Sequence, residues 1–197
     1  MREITLPSPN LEGSMSLEAA IADRRSVRKY GPEELSLGEI SQLLWSAQGI
    51  TGGRPDRRAA PSAGGLHPLE IYLCRKDGVW HYRPESHKLL KHLEEDVRQP
   101  LAEAAWGQKF IGRAPAVFFM SAHISRTTGK YEERGRIRYV PMDAGHATQN
   151  ILLQAVALEM GAVCVAAFED AKVAQVMHLP EEQEPLYIIP VGRLRGE

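Results

Sequence analysis

The sequence predicts an α+β domain rather than a doubly wound sheet. Three observations carry that reading. Strand-like and helix-like segments are intermixed, an early strand pair is closed by a tight turn, and no regular strand–helix–strand repeat occurs. A chain of 197 residues suits one domain with a sizeable core.

Taken in order, residues 1–15 contain Pro7 and Pro9 and little periodicity, and are read as an N-terminal arm. Residues 16–197 are read as one domain. Ser16 can cap a helix to about Arg25, with Leu17, Ala20 and Ile21 on one face. Ser36-Leu37-Gly38-Glu39 forms a capping box ahead of Ile40, Leu43 and Leu44, and that helix should run to Gln48. Residues 49–58 hold Gly52, Gly53 and Pro55 and are read as a loop. In residues 69–74, Leu69, Ile71 and Leu73 face one way, and Glu70, Tyr72 and Cys74 the other. Lys76-Asp77-Gly78 turns the chain, and residues 79–83 return it as a hairpin partner.

Residues 86–106 are read as helical with a restart at Pro100, and residues 115–122, PAVFFMSA, as a buried strand. Residues 125–140 are polar and basic, a long loop with some helix. Asp143 should open a core helix that reaches Met160. Residues 163–168 form a strand, residues 169–177 a short helix, and residues 186–193 a last strand. Pro190 in that strand suggests a sheet edge or a bulge.

Composition narrows the function. Net charge is 24 − 25 = −1, which argues against nucleic-acid binding. The longest apolar run, residues 151–168, is broken by Gln154, Glu159 and Gly161, so no membrane span is expected. The start, MREITLPSPN, has no apolar core of a signal peptide. Cys74 and Cys164 fit two buried, reduced thiols in a cytoplasmic protein.

Several common constellations are absent: GxGxxG, a complete phosphate loop, GxSxG and HExxH. His81, His87 and His92 are close in sequence but separated by element boundaries. They are read as solvated surface histidines, and no metal is expected.

Three segments remain. The first is ADRRSVRKY, where Arg24, Arg25, Ser26, Arg28 and Lys29 put four cations and a hydroxyl at a helix end. Cations there offset the helix dipole, yet closely spaced arginines repel without a nearby anion, and guanidinium forks suit a phosphate. The second is Pro61-Ser62-Ala63-Gly64-Gly65, almost bare backbone before a core strand. It reads as a turn, or as a surface on which something flat or anionic rests. The third is MDAGHATQNILLQA, where His146, Asn150 and Leu153 share one stripe of a largely apolar helix. Both polar residues are expected to satisfy nearby backbone groups.

The order of these pieces, RRSVRKY, PSAGGLHPLEIYL, KYEERGRIRYVPMDAGHATQNILLQAVALEMG and PLYIIPVGR, resembles the nitroreductase superfamily of FMN-dependent oxidoreductases. More closely it resembles the SagB-type dehydrogenase branch, over about residues 16–195. The resemblance implies a mostly antiparallel central sheet flanked by helices, an intertwined homodimer, and FMN at its interface. It places Arg24, Arg25, Ser26 and Arg28 at the flavin phosphate and edge. It lays the backbone of Pro61, Ser62, Ala63, Gly64 and Gly65 against the isoalloxazine, from the partner subunit. Ala166, Ala167 and Phe168 would pass the flavin through main-chain groups, and Arg193 would be a second phosphate ligand. Many nitroreductases carry Asn and Gln where this chain has Gly65 and His67, and the departure agrees with the SagB branch.

That branch also carries pairs matching Lys130-Tyr131, Arg138-Tyr139 and Gly145-His146. In azoline-oxidising members the Lys-Tyr pair is linked to proton abstraction, a role for a lysine whose pKa is lowered by burial. The alternative for Lys130 is a solvated loop lysine. The implied activity is an FMN-dependent oxidoreductase moving electrons from a donor, NAD(P)H, docked transiently, to a small organic acceptor. Two alternatives stay open: an azoline or ring dehydrogenase returning electrons to oxygen, and a non-catalytic flavin-binding protein.

Overall fold

The structure, a computed structural model, describes residues 2–195. Met1 of the arm and Gly196 and Glu197 of the domain lie outside the described residues. The strands are β1 (Glu3–Thr5), β2 (Ile50–Thr51), β3 (Arg54–Arg58), β4 (Leu69–Arg75), β5 (Gly78–Arg83), β6 (Lys88–Leu93), β7 (Ala116–His123), β8 (Met160–Ala162) and β9 (Gln183–Arg193). The helices are α1 (Leu17–Asp23), α2 (Leu37–Gln48), α3 (Arg98–Ala104), α4 (Lys109–Arg113), α5 (Ser125–Arg134), α6 (Val140–Ala157) and α7 (Asp170–Val176). Seven strands form one antiparallel sheet in the order β1-β6-β5-β4-β7-β9-β8, and β2 and β3 make a separate ribbon.

The sheet is covered on both faces, which explains why β7 reads AVFFMSAH without polar alternation. Ala116, Phe118, Met120 and Ala122 pack with Ile40, Leu43 and Leu44 of α2 and Ile151 and Ala155 of α6. Val117 and Phe119 point into the opposite layer, with Leu101 of α3, Ile111 of α4 and Val173 of α7. β4 follows the same rule. Leu69, Ile71 and Leu73 join the first layer and Tyr72 and Cys74 the second, as the alternation predicts. Each such side chain taken fully from water stabilises the fold by roughly 1.5–3 kcal/mol.

α2 starts where the sequence puts it. The Ser36 hydroxyl accepts from the Glu39 amide at 3.3 Å, and Glu39 accepts from the Ser36 amide at 2.7 Å. α6 spans 18 residues, about 27 Å at 1.5 Å per residue. It carries the chain from one end of the sheet to the other. Pro141 sits in its first turn, where no amide donor is needed.

Five expectations are corrected. Residues 86–106 are not one helix: Lys88–Leu93 is β6, hydrogen-bonded to β5 on one side and to β1 of the arm on the other. Pairing partners on both sides override local period. The arm contributes Glu3–Thr5 to the sheet edge; residues 49–58, read as a loop, contain the paired strands β2 and β3. Residues 125–140 are helical, α5 followed by a π-helical turn over Gly135–Tyr139. The core helix begins at Val140, before Asp143. The strand expected at 163–168 lies earlier, at Met160–Ala162, and only Val165 bridges to Ile188.

Pro190 is interior to β9, paired with Val117. Its carbonyl accepts from the Tyr30 hydroxyl at 3.3 Å. In a strand a residue's nitrogen and carbonyl share one side, so the missing donor faces Tyr30, beyond the end of short β8.

Cys164 and the three histidines sit otherwise than expected. Cys164 is exposed; only Cys74 is buried, and burial pushes its thiol pKa up. The three histidines are engaged rather than solvated. His81 contacts Glu70 at 2.6 Å, His87 contacts the Ser41 hydroxyl at 2.7 Å, and His92 contacts the Met177 carbonyl at 2.7 Å.

Candidate active site

The basic segment is stitched to the sheet edge. Ser16 caps α1 by accepting from the Ala19 amide at 3.1 Å. The chain then leaves the helix at Arg24. Ser26 bridges to Ala162 of β8, and the Val27 amide donates to the Ala162 carbonyl at 3.0 Å. The Gly31 amide donates to the Arg193 carbonyl at 3.0 Å. Arg24, Arg25, Ser26 and Arg28 are therefore held beside β8 and the end of β9.

Arg25 and Arg28 are exposed and Arg24 is half-buried. Arg25 donates to the Ala22 and Arg24 carbonyls at 2.8 Å. The Arg28 guanidinium lies 5.7 Å from the Phe110 ring centre. Among the described residues, none of these three guanidiniums forms an ion pair with a carboxylate. Such a set suits a phosphate. Arg193 is differently placed: it pairs with Glu39 at 2.5 Å, the same carboxylate that caps α2. Ala166 and Ala167 are exposed and Phe168 is buried. Gln108 donates to the Ala167 carbonyl at 3.0 Å. Gln108 and Phe110 thus join the main chain of residues 166–168 to the arginine segment.

The glycine loop lies elsewhere. Gly64 and Gly65 have φ of +63° and +66°, which only glycine adopts readily. The loop is fixed by Asp143, which is 3% exposed. Ser62 Oγ donates to Asp143 Oδ2 at 2.6 Å, and the Ala63 amide donates to both carboxylate oxygens at 3.2 and 3.3 Å. Ser62 Oγ also accepts from the His67 amide at 2.9 Å, closing the loop on itself. Pro61, Gly64 and Gly65 stay exposed.

Lys130 and Tyr131 stand over this loop. A Cβ on Gly64 would fall 2.7 Å from Tyr131 Oη and 3.2 Å from Lys130 Nζ. Lys130 Nζ lies 5.3 Å from the Tyr131 ring centre, and Tyr131 meets Tyr139 edge-on at 4.9 Å. Arg134 donates to the Tyr139 hydroxyl at 2.9 Å. Lys130 itself is exposed in the single chain. Next to the pair, Glu132 has φ +52° and ψ −145°, a conformation costing on the order of 1–3 kcal/mol for a residue with a side chain. The π-helical turn follows directly. Strain and π-turns concentrate at functional sites.

A cavity of about 250 Å³ opens on the same side, lined by Pro61, Ser62, Ala63, Tyr139, Met142 and His146. His146 is exposed there rather than bonded to backbone. Asn150 behaves as expected, donating to the Ser46 and Ala59 carbonyls at 2.9 and 3.4 Å. Asp143 is the residue that sequence reasoning missed. Read as a helix opener, it is an acid in the first turn of a helix, an ordinary place for one, and the sequence carries no signal of its burial.

The two groups lie at opposite ends of the sheet. The loop leads into Leu69, which pairs with Ala122, which pairs with Glu184. Arg193 is 193 − 184 = 9 residues further along β9, about 30 Å at ~3.3 Å per residue. Among the described residues, no group of three or more His, Cys, Asp or Glu side chains could hold a metal ion. No described helix is long and apolar enough to cross a membrane.

The chain is similar to known proteins of one family. The sequence profile of the nitroreductase family matches residues 21–193. The protein MJ1384 of Methanocaldococcus jannaschii, which carries a nitroreductase name, is 41% identical over 191 residues, spanning 94% of each chain. The microcin B17-processing protein McbC of Escherichia coli is 28% identical over 160 residues, 75% of this chain and 58% of McbC. A crystal structure of a protein named as a nitroreductase from Ralstonia eutropha superposes with a TM-score of 0.91 at 28% identity, covering 100% of this chain and 91% of that one.

Proposed function

The chain belongs to the nitroreductase family of oxidoreductases, and from that premise we propose that it is a cytoplasmic, homodimeric, FMN-dependent enzyme. In this reading it takes electrons from NAD(P)H and passes them to a small organic acceptor. The observation that carries the reading is the Arg24–Arg28 segment: three guanidiniums without a carboxylate partner among the described residues, tied through Gln108 and Phe110 to the exposed main chain of Ala166 and Ala167. Closely spaced like charges call for an anion, and a flavin phosphate supplies one.

Bound FMN would supply two-electron transfer. The protein's own residues would do the rest. Arg24, Arg25 and Arg28 would hold the phosphate, with Ser26 adding a hydrogen bond. Arg193, already paired with Glu39, would complete the electrostatic wall. The Pro61–Gly65 loop of the partner subunit would offer bare backbone to the ring, fixed in advance by Asp143. Pre-fixing the loop lowers the entropy lost on binding.

A second reading is favoured by Lys130 and Tyr131 standing over Gly64. A base in that position suits removal of a proton from a ring substrate, as in an azoline dehydrogenase. The relative McbC is named for microcin B17 processing, which supports the same reading.

The deciding experiment starts with the colour of the purified protein, then adds NADH or NADPH without oxygen and, separately, an azoline substrate in air. Rapid bleaching by a nicotinamide supports the first reading. No bleaching, with slow oxygen-linked oxidation of the azoline, supports the second. Bound flavin that no donor reduces would make this a flavin-binding protein without catalysis. A colourless protein that does not take up added FMN would overturn all three. Lys130→Ala should keep its flavin and lose turnover in the second reading; full turnover would remove Lys130 as the base.

A further inference from the structure

α5 carries Lys130 and Tyr131 to the glycine loop, yet little packing holds it there. Of its ten residues only Thr127 is buried. Few buried contacts leave a segment loosely held, so its polar ties decide where it sits. Among the described residues, Arg126 is the only side chain of α5 with a hydrogen bond or ion pair to chain outside residues 123–139. We propose that Arg126, held by Glu70, is a positioning residue that fixes Lys130 and Tyr131 over Gly64. Its consequence for catalysis rests on the azoline reading of the function; its consequence for geometry does not.

The tie is built at both ends. Arg126 Nη2 lies 2.5 Å from Glu70 Oε1, and its Nη1 donates to the His67 carbonyl at 3.2 Å. A planar guanidinium with fixed donor directions suits such a double contact better than an ammonium does. His67 closes the glycine loop, its amide donating to Ser62 Oγ at 2.9 Å. Asp143 fixes the front of that loop and Arg126 its back. One guanidinium therefore joins the loop, the start of β4 and α5.

Glu70 is placed to hold that guanidinium still. Its side chain is only 9% exposed. Oε2 lies 2.6 Å from His81 Nε2. His81 is paired with Tyr72 across β4 and β5 and stacks on its ring at 4.3 Å. Burial would push the Glu70 carboxyl up, but His81 and Arg126 hold it below its usual range, so it meets Arg126 as an anion. A buried ion pair adds little net stability over apolar packing of the same volume. What this pair adds is direction: it aims α5 from a rigid sheet.

The lever from this tie to the site is short. Lys130 follows Arg126 by four residues, one turn along the same face and about 6 Å along the axis. The kink at Glu132 comes after both. Lys130 Nζ and Tyr131 Oη then fall 3.2 and 2.7 Å from where a Gly64 Cβ would sit. Loss of the tie lets α5 swing, and a displacement of about 1 Å is enough to cost a reaction about a hundredfold.

The experiment follows the contact itself. In the protein as purified, with tyrosine and glycine selectively labelled, NMR measures the nuclear Overhauser effect between the Tyr131 ring and the Gly64 Hα. Arg126→Ala should abolish it while the amide signals of α2 and α7 stay in place. That variant leaves the buried Glu70 carboxylate without its guanidinium, so the measurement is repeated in Glu70→Gln, Arg126→Ala, which leaves no uncompensated buried charge. The same loss is expected. A parental Tyr131–Gly64 effect in either variant would overturn the proposal. So would a loss accompanied by general movement of the α2 and α7 signals, the mark of a purely structural role. With an azoline substrate, Arg126→Ala should lower kcat about tenfold to a hundredfold and leave KM unchanged. Loss of the contact with full kcat would remove Lys130 as the base and leave Arg126 as the residue that places it. A retained contact refutes the placement whatever the protein catalyses.

Discussion

Replacing Asp143 by Asn tests what fixes the glycine loop. Asp143 is buried on α6, and its two oxygens accept from Ser62 Oγ and from the Ala63 amide. Hydrogen bonds to a charged group are worth about 1.5–3 kcal/mol each, and neutral ones about 0.5–1.5. In Asp143→Asn the amide oxygen can still accept from Ser62, at a loss of about 1 kcal/mol. The NH2 group takes the place of Oδ1 and meets the Ala63 amide donor against donor, leaving that amide only its 3.3 Å contact with the remaining oxygen. The expected total is about 1–3 kcal/mol, read as a lower urea midpoint in the flavin-free protein. FMN titration should show affinity reduced about tenfold or more, because each 1.4 kcal/mol of loop ordering now charged to binding is a factor of ten. A Ser62→Ala, Asp143→Asn double-mutant cycle should return a coupling of at least about 1 kcal/mol, as for residues in direct contact. An Asn variant with the parental urea midpoint and parental FMN affinity would refute the claim that this carboxylate holds the loop.

Three further outcomes are expected. Gly64→Ala should destabilise by more than Gly65→Ala: both positions carry the left-handed penalty of roughly 1–2 kcal/mol, but only at Gly64 does the new methyl meet Tyr131 Oη. Equal losses in thermal melts would discount that contact. Glu70 has a lowered pKa: burial opposes ionisation, and the His81 and Arg126 contacts outweigh it. Its contribution is therefore present above the unfolded value of about 4.3 and is lost as pH falls through the folded one; melting across that acid range should be flatter for Glu70→Gln than for the parent. Finally, Arg28→Ala should weaken FMN by about 1.5–3 kcal/mol, and mixing that chain with Asp143→Asn chains should restore one tight site per hybrid dimer. Hybrids with no tight site would mean that each flavin is held by a single chain.

The fold was legible wherever a residue's own neighbours in sequence decide its structure. The Ser36–Glu39 box, the alternation in β4 and the Lys76-Asp77-Gly78 turn act through contacts a few residues long. It was illegible where the deciding partner is remote. Residues 88–93 become β6 because Arg83–Val79 and Thr5–Glu3 take their backbone groups. Nothing in the period of KLLKHL announces its second partner, β1, more than eighty residues away. The same holds for the arm and for Pro190, whose missing donor is tolerated because Tyr30 occupies that side of the strand.

For the site, composition exposed the parts but not their arrangement. Three arginines around a serine, and a glycine pair before a core strand, stand out because each is locally unfavourable without something to offset it. The Lys130-Tyr131 pair does not stand out in that way; it stands over Gly64 next to the kink at Glu132, where α5 passes into the π-helical segment. Asp143 is legible only in hindsight, since an acid in the first turn of a helix is ordinary until its side chain is seen to be buried. What no local pattern could supply is distance. Sequence order puts RRSVRK and PSAGG about forty residues apart, and the sheet sends them to opposite ends, beside Arg193 and beside Leu69. If both touch one ring, the loop must come from a second molecule. Under the proposed function, dimerisation is then a condition of the site rather than an addition to it.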